Sequence, residues 1–465
     1  MLPISPAGPG NSPYSSDSSW AGNPLLVSLD LLYEEGLLRR MDLTPSRRFP
    51  AGKVSFKAVA AFRMSRLRKA FAAFQERGGR LRNAFGGFQR RQRWWLDDHA
   101  LFCALRNAHG GKPWTSWDEA LRDRRPEALR TARNRLAEEI AFHRFVQYVF
   151  DRQWAFLRKT ARAAGVGLIG DLPLFVNHDS SDVWANQELF LLDRTGRPKA
   201  VSGVPPDAFS KSGQLWGHPL YNWRRHRASG FKWWINRLKS TCERFDAVRL
   251  DHFLGFIRAW AVPAGARTAA TGRWLAAPGR ELFEAVKKKH GRLRFIAEDL
   301  GPGTAAAFEL RDRLGLPGMR ILQFAFGSDD HHHHEPHCHP KRCVVYTGTH
   351  DSPTTVGWFR NLGSGRGGRG SARDAARRRR ILQYLGSDGR QIHWDLIRSA
   401  MASTANLAIF PVQDILGLDD RARMNRPGIS SGNWEWRLRP GELTGPLARR
   451  LGELSVHYGR ASAGV

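Results

Sequence analysis

Residues 247–252 read Ala-Val-Arg-Leu-Asp-His. A short run rich in branched apolar side chains has the length and composition of a buried strand, and this one stops on an acid flanked by Arg249 and His252. The same shape returns downstream. Phe295-Ile296-Ala297 runs into Glu298-Asp299, and Val344 to Thr347 leads through Gly348-Thr349-His350 into Asp351. Val166 to Val176, Met319 to Phe324 and Leu407 to Val412 are strand-like as well. Between these runs the apolar residues take helical spacing, in Phe231 to Phe245, Glu281 to His290, Thr304 to Leu314, Ala372 to Leu385 and Trp394 to Ala402. Strand and helix in alternation imply an α/β fold, a parallel sheet covered by helices. Before residue 165 the pattern differs: residues 60 to 165 read as largely helical, with Leu136, Ile140, Phe145, Val149 and Trp154 on one stripe.

Acids at strand ends have a meaning in such a fold. In a (β/α) barrel the C-terminal ends of the strands converge on one mouth, so acids from different strands can meet at one substrate. A single strand-end Asp is as readily the cap of the next helix. Three together, two of them beside a His, point to glycosyl chemistry, in which one carboxylate attacks and a second, kept protonated, donates to the departing oxygen. Arg249, two residues before Asp251, shares its strand face and would keep that carboxylate ionised. Sugar sites also need flat apolar platforms. The segment Gly203 to Trp223 offers Phe209, Trp216, Tyr221 and Trp223 among Pro and Gly, with Asp207 and Gln214 interleaved, so it fits a wall that both stacks and hydrogen-bonds.

Composition narrows the class. The 465 residues include 17 Trp and 26 Phe, far more apolar surface than a solvated coil exposes. The longest apolar runs fall well short of the ~20 residues that span a bilayer, and the first residues do not read as a secretory signal, so a cytoplasmic protein without membrane contact is expected. Cys103, Cys242, Cys338 and Cys343 are too few and scattered for a disulfide framework and read as reduced packing residues. Lys and Arg number 73 against 43 Asp and Glu, a net charge of +30 that attracts nucleic acid non-specifically if at all. The tract Gly363 to Ser371, running into Arg377 to Arg380, reads as a solvated loop entering a basic helix face. His331 to His334, with His337, Cys338 and His339 behind, match no structural zinc spacing, and four consecutive histidines do not converge on one tetrahedral point, so no metal site is expected.

These residues resemble one family, the 4-α-glucanotransferases or amylomaltases, glycoside hydrolases of the α-amylase clan. The matches run in order along almost the whole chain, from L-P-I-S-P-A-G-P-G-N-S-P-Y through G-L-I-G-D-L-P-L-F-V, the G-V-P-P-D to Q-L-W-G loop, R-L-D-H-F, A-E-D-L-G, Y-T-G-T-H-D and Q-D-I-L-G to R-M-N-R-P-G and G-N-W-E-W-R. The resemblance implies a (β/α)8 TIM barrel with helical insertions, one catalytic body over 1–465 with a mostly helical insertion over 45–165 and an active-site loop over 203–223. It implies Asp251 as nucleophile, Glu298 as general acid and then base, and Asp351 as transition-state stabiliser. It places Arg249 and His350 around the reacting sugar and Asp171, Asp207, Gln214, Trp216, Phe324, Asn425 and Pro427 along the glucan path, with Tyr14 near its outer track. It implies no metal or organic cofactor, and as partners maltooligosaccharides and glucans derived from starch or glycogen; the oligomeric state stays open. Departures from the family pattern are Leu254 after D-H-F, His218 in W-G-H-P and Ser352-Pro353 after H-D. The resemblance also begins at Leu2, so a strand and helix that usually precede this motif are expected to be missing, leaving barrel edges exposed. Two other readings remain: a barrel-derived scaffold with impaired catalysis, and a basic nucleic-acid-associated protein supported by the charge alone.

Overall fold

The computed structural model describes residues 1–206, 210–301, 304–326, 329–362, 372–429 and 431–461. Asp207, Phe209 and the Gly363 to Ser371 tract lie outside the described residues, as does the side chain of His331. The chain folds into two compact units, one of Met1–Arg48 with Phe56–Leu310 and one of Phe49–Ser55 with Arg311–Val465.

In the first unit, three long helices, Phe56–Arg77, Gly79–Ala108 and Ala137–Ala163, occupy much of the region with helical periodicity. Their apolar stripes meet ring to ring, Phe74 against Phe145 at 4.9 Å and Phe71 against Phe142 at 5.8 Å between centroids, the edge and tilted packings that aromatic quadrupoles favour. Buried Gln147 accepts from the Gly22 N–H at 2.7 Å and donates to its carbonyl at 2.9 Å, so a helix side chain satisfies the backbone of the N-terminal segment.

Seven strands follow: β1 (Ile169–Leu172), β2 (Ala200–Val204), β3 (Gln214–Pro219), β4 (Ala247–Leu250), β5 (Arg258–Pro263), β6 (Arg273–Ala276) and β7 (Phe295–Ala297). β1, β4 and β7 form a parallel sheet in the order β1-β4-β7, with Leu172 paired to Leu250 and Leu250 to Ala297. Gly170 in β1 admits the ring of Phe245, which a Cβ would approach to 2.2 Å. The other four strands make an antiparallel sheet in the order β3-β2-β5-β6. Sequence reading sees a loop there because these strands are half exposed and interrupted by Pro and Gly, without the continuous apolar run of a parallel strand.

In the second unit β8 (Gly318–Ile321), β9 (Cys343–Tyr346) and β10 (Leu407–Ile409) are parallel in the order β10-β9-β8. Helices Thr355–Asn361, Ala372–Leu385 and Ile392–Ala402 contribute Trp358, Phe359, Ile381 and Leu396 to a core that also holds Val345 of β9. β10 ends before Pro411, which caps the helix Val412–Ile415. The basic run Arg377 to Arg380 is not a free face. Arg377 donates to the carbonyls of Gln323 and Ala325, Arg378 to that of Phe359, and Arg380 to the Glu335 carboxylate. A guanidinium on a long stem reaches carbonyls of the turn after β8 and of the helix Thr355–Asn361, so sequence charge overstates solvated charge here.

All four cysteines are free, and among the described residues no helix is long and apolar enough to cross a membrane.

Candidate active site

The parallel sheet of the first unit sets its polar residues by register. Asp171 pairs with Arg249 across β1 and β4, and Arg249 pairs with Ile296 across β4 and β7. Partners in a parallel ladder face the same way and side chains repeat with a period of two. Asp171, Arg249, Asp251 and Glu298 therefore share one face at one end of the sheet. The ladder continues past the strand ends, with Asp251 N–H donating to Leu172 O at 3.1 Å and Glu298 N–H to Leu250 O at 3.0 Å.

Arg249 organises the group. One guanidinium nitrogen donates to Asp171 Oδ2 at 2.5 Å and the other to Asp251 Oδ1 at 2.8 Å. Burial opposes its charge, yet the two carboxylates hold its pKa well above the ordinary arginine value. Asp171 Oδ2 also accepts the Tyr14 hydroxyl at 2.5 Å, and burial next to that carboxylate pushes the phenol up. Tyr14, expected on an outer track, thus sits within hydrogen-bonding reach of Asp171, with its oxygen 3.4 Å from Arg249. Its contact spans 157 residues of chain and leaves no local signal in the sequence. Asp171 Oδ1 is buried with no hydrogen-bond partner among the described residues.

Glu298 is held otherwise. Its Oε2 accepts the His252 N–H at 2.7 Å, and His252 adopts φ 47°, a left-handed conformation that a non-glycine residue rarely takes. Burial raises the Glu298 carboxyl well above its ordinary range; Arg249 pulls it back, while the charges of Asp251 and Asp299 raise it further. The imidazole of His252 is pushed down to about 4 by burial and is neutral, with Trp216 edge-on at 4.8 Å. Of the expected wall residues, Gln214 and Trp216 sit on β3, with Trp216 Nε1 3.4 Å from Gln214 Oε1.

In the second unit Asp351 follows β9. Gly348 gives the turn its close approach, since a Cβ there would lie 2.6 Å from the Gln323 amide. The Asp351 carboxylate is clamped on both oxygens, by Asn425 Nδ2 at 2.5 Å and His350 Nε2 at 3.2 Å, and Arg423 donates to its backbone carbonyl at 2.7 Å. Asn425 N–H bonds His350 O at 3.0 Å. The motif Arg423 to Pro427 thereby shapes the surroundings of Asp351 through Arg423 and Asn425, while Pro427 itself is exposed. Phe324, in the turn after β8, meets His334 edge-on at 5.5 Å.

A family model described as 4-alpha-glucanotransferase matches residues 1–444. The chain is 47% identical over 457 residues to the 4-alpha-glucanotransferase of Thermus thermophilus, covering 97% of this chain and 89% of that one. The chain belongs to the 4-alpha-glucanotransferase family. The corresponding protein of Synechocystis sp. is 44% identical over 467 residues, covering 99% and 90%. Among solved structures, amylomaltase from Streptococcus agalactiae in complex with acarbose matches with a TM-score of 0.93 at 36% identity, over 99% of this chain and 91% of that one. The chain has a TIM-barrel-like α/β fold with helical insertions, and it is an enzyme that transfers α-1,4-glucan segments.

Sequence reasoning passes over two residues around Asp351. Trp434, at φ 63°, stacks tilted on His350 at 5.8 Å. Asp414 accepts from Thr347 Oγ1 at 2.6 Å and from Thr355 N and Oγ1, both at 2.8 Å, and so braces both sides of the Asp351 turn. Both residues stand in quoted motifs, G-N-W-E-W-R and Q-D-I-L-G, but only the three-dimensional contacts say what they hold.

Proposed function

We propose that this enzyme disproportionates maltooligosaccharides by retaining double displacement, with Asp251 as nucleophile and Glu298 as general acid and base. Glu298 donates its proton to the glycosidic oxygen while Asp251 attacks C1, so the C1–O bond breaks and the reducing-end fragment leaves as an alcohol. Glu298, now a carboxylate, takes the proton of an acceptor 4-hydroxyl. That oxygen attacks C1, expels Asp251 and restores the α configuration.

The observation that carries this reading is the opposed environment of two acids at neighbouring strand ends. Arg249 lies on Asp251 and favours its anion, whereas burial keeps the proton on Glu298. Neighbouring strands lie about 4.8 Å apart, close to the ~5–5.5 Å separation of carboxyls in retaining enzymes. Asp351, fixed by His350 and Asn425, is assigned to stabilising the oxocarbenium-like transition state. Asp171 and Tyr14 are assigned to the sugar bound beside Arg249, with Asp171 Oδ1 as the acceptor for a hydroxyl. Asp207, Gln214, Trp216, Phe324 and Pro427 are assigned to the glucan path, whose donors are maltooligosaccharides and starch- or glycogen-derived glucans.

Incubation with pure maltotriose tests the reading. Glucose and a ladder of longer maltooligosaccharides are expected by chromatography, and glucose and maltose alone would sink transfer as the activity. Asp251→Asn and Glu298→Gln should each lower turnover by several orders of magnitude with the melting transition retained. A variant keeping more than about a tenth of the wild-type rate would remove that residue from its role.

A further inference from the structure

We infer that His332, His337 and Cys338 form a binding site for a zinc-type divalent cation, separate from the glucan chemistry. The chain between β8 and β9 carries six histidines and one cysteine in residues 331–339. The fold sorts them. His334 and His339 are buried and committed: Ile321 N–H donates to His334 Nδ1 at 3.1 Å, and His339 Nε2 donates to His334 O at 3.0 Å. His334 fastens the segment to β8, and His339 braces His334. His332, His337 and Cys338 face outward instead, and one donor atom from each lies within 4.8 Å of the others.

The convergence comes from short 3-10 turns, Asp329–His334 and Pro336–Cys338, joined at Glu335. A 3-10 helix has three residues per turn, so side chains three apart eclipse. His332, Glu335 and Cys338 stand at that spacing, and Glu335 N–H to His332 O and Cys338 N–H to Glu335 O, each 2.9 Å, link them in sequence. The pattern that matters is therefore not four adjacent histidines but every third residue, with His337 beside the last. His332 Nε2 is 3.1 Å from Cys338 Sγ. Tetrahedral zinc, with Zn–N near 2.0–2.1 Å and Zn–S near 2.3 Å, sets such donors about 3.5 Å apart, so a small shift admits the ion.

The surroundings orient both imidazoles as metal ligands require. Glu335 Oε2 takes His332 Nδ1 at 2.8 Å, which turns Nε2 toward the thiol. Tyr384 OH bonds His337 Nδ1 at 3.0 Å, leaving Nε2, 3.6 Å from Glu335 Oε2, on the same side. Glu335 is buried, and its other oxygen is fixed by Arg380 at 2.5 Å. Arg380 and Tyr384 come from one helix, Ala372–Leu385, so an element remote in sequence holds the outer ring of a carboxylate-histidine-metal arrangement. Binding takes a ring-nitrogen lone pair from each histidine and releases the Cys338 thiol proton to water, and three protein donors leave the fourth position to water.

The test is a titration of metal-free protein with Co2+, then Zn2+. One equivalent of Co2+ should give a thiolate-to-cobalt charge-transfer band that Zn2+ abolishes. Cys338→Ser should lose the band, and His332→Ala and His337→Ala should each weaken binding by at least about tenfold. Glu335→Gln should weaken it by about 10- to 100-fold, and His333→Ala should leave the spectrum and the affinity unchanged. In the unaltered chain, Zn2+ should slow alkylation of Cys338. That readout is clean because burial pushes Cys103 and Cys242 up to about 12 and Cys343 is buried. Metal bound without a thiolate band, or equally tight binding by Cys338→Ser together with unchanged Cys338 alkylation, would overturn the site and leave adventitious capture by a histidine tract.

Discussion

Glu298 keeps its proton against an opposing guanidinium. Burial is the larger effect, the Asp251 and Asp299 charges add to it, and Arg249 and the His252 N–H work the other way. In the role proposed for it, general acid, Glu298 must be protonated, so turnover should fall as pH rises through its pKa. Asp299→Asn removes one of the charges that disfavour the Glu298 anion; the pKa then drops, and the alkaline limb of kcat/KM should move to lower pH. A pH profile of maltotriose turnover checks this, and an unmoved limb would mean that Asp299 does not hold the proton. The acids themselves were legible, because each closes an apolar run. What sets them apart was not. Arg249 stands two residues from Asp251 and could be read as its partner, whereas the His252 N–H reaches Glu298 only through a left-handed residue, and Tyr14 reaches Asp171 across 157 residues.

At the scale of elements, legibility followed burial. β4 and β7 begin and end where the branched apolar runs do: β7 is buried throughout and apolar throughout, while β4 buries Val248 and Leu250 on one face and turns Arg249 to the other. The β3-β2-β5-β6 sheet was missed because its strands are held by cross-strand pairs such as Trp260 with Trp274, centroids 5.2 Å apart, which lie 14 residues apart in sequence and make no local pattern. The aromatic loop of the sequence is in part the β2–β3 hairpin, and that bears on transfer against hydrolysis. Trp216 is carried on a strand, braced by the His252 ring, rather than on a free loop. On the proposed glucan path, a platform so fixed would offer an acceptor sugar a face to stack on while excluding water from the intermediate. Trp216→Ala should therefore raise the share of glucose and maltose relative to longer products several-fold, with maltotriose consumption less affected. Product chromatography gives the ratio directly, and an unchanged ratio would show that the hairpin does not select the acceptor.

Among the described residues, part of the basic excess is tied up in the fold. Some guanidiniums are structural: Arg237, 2% exposed, donates to Leu174 O at 2.8 Å and Pro173 O at 2.6 Å, and Arg460 donates to Met401 O at 2.9 Å and Ser403 O at 2.7 Å at the end of the helix Ile392–Ala402. Carbonyls at a helix end lack partners within the helix and carry its negative pole, so an arginine there stabilises the fold rather than waiting for a ligand. Others pair with acids, as Arg106 does with Asp17 at 2.6 Å and Arg144 with Asp97 at 2.7 Å. Pairing removes no net charge, however, and the molecule still carries +30. Its field acts on polyanions but not on a neutral glucan. Binding to random DNA should accordingly be released by salt, by about a thousandfold to a hundred-thousandfold between about 50 and 200 mM if about 6–10 phosphates are neutralised, while maltotriose turnover stays level over the same range because its substrate has no charge to steer. Fluorescence anisotropy with a labelled duplex and a parallel transfer assay separate the two. Retention that survives the salt would require contacts to bases, and turnover that falls with the DNA affinity would tie the charge to the enzyme's chemistry.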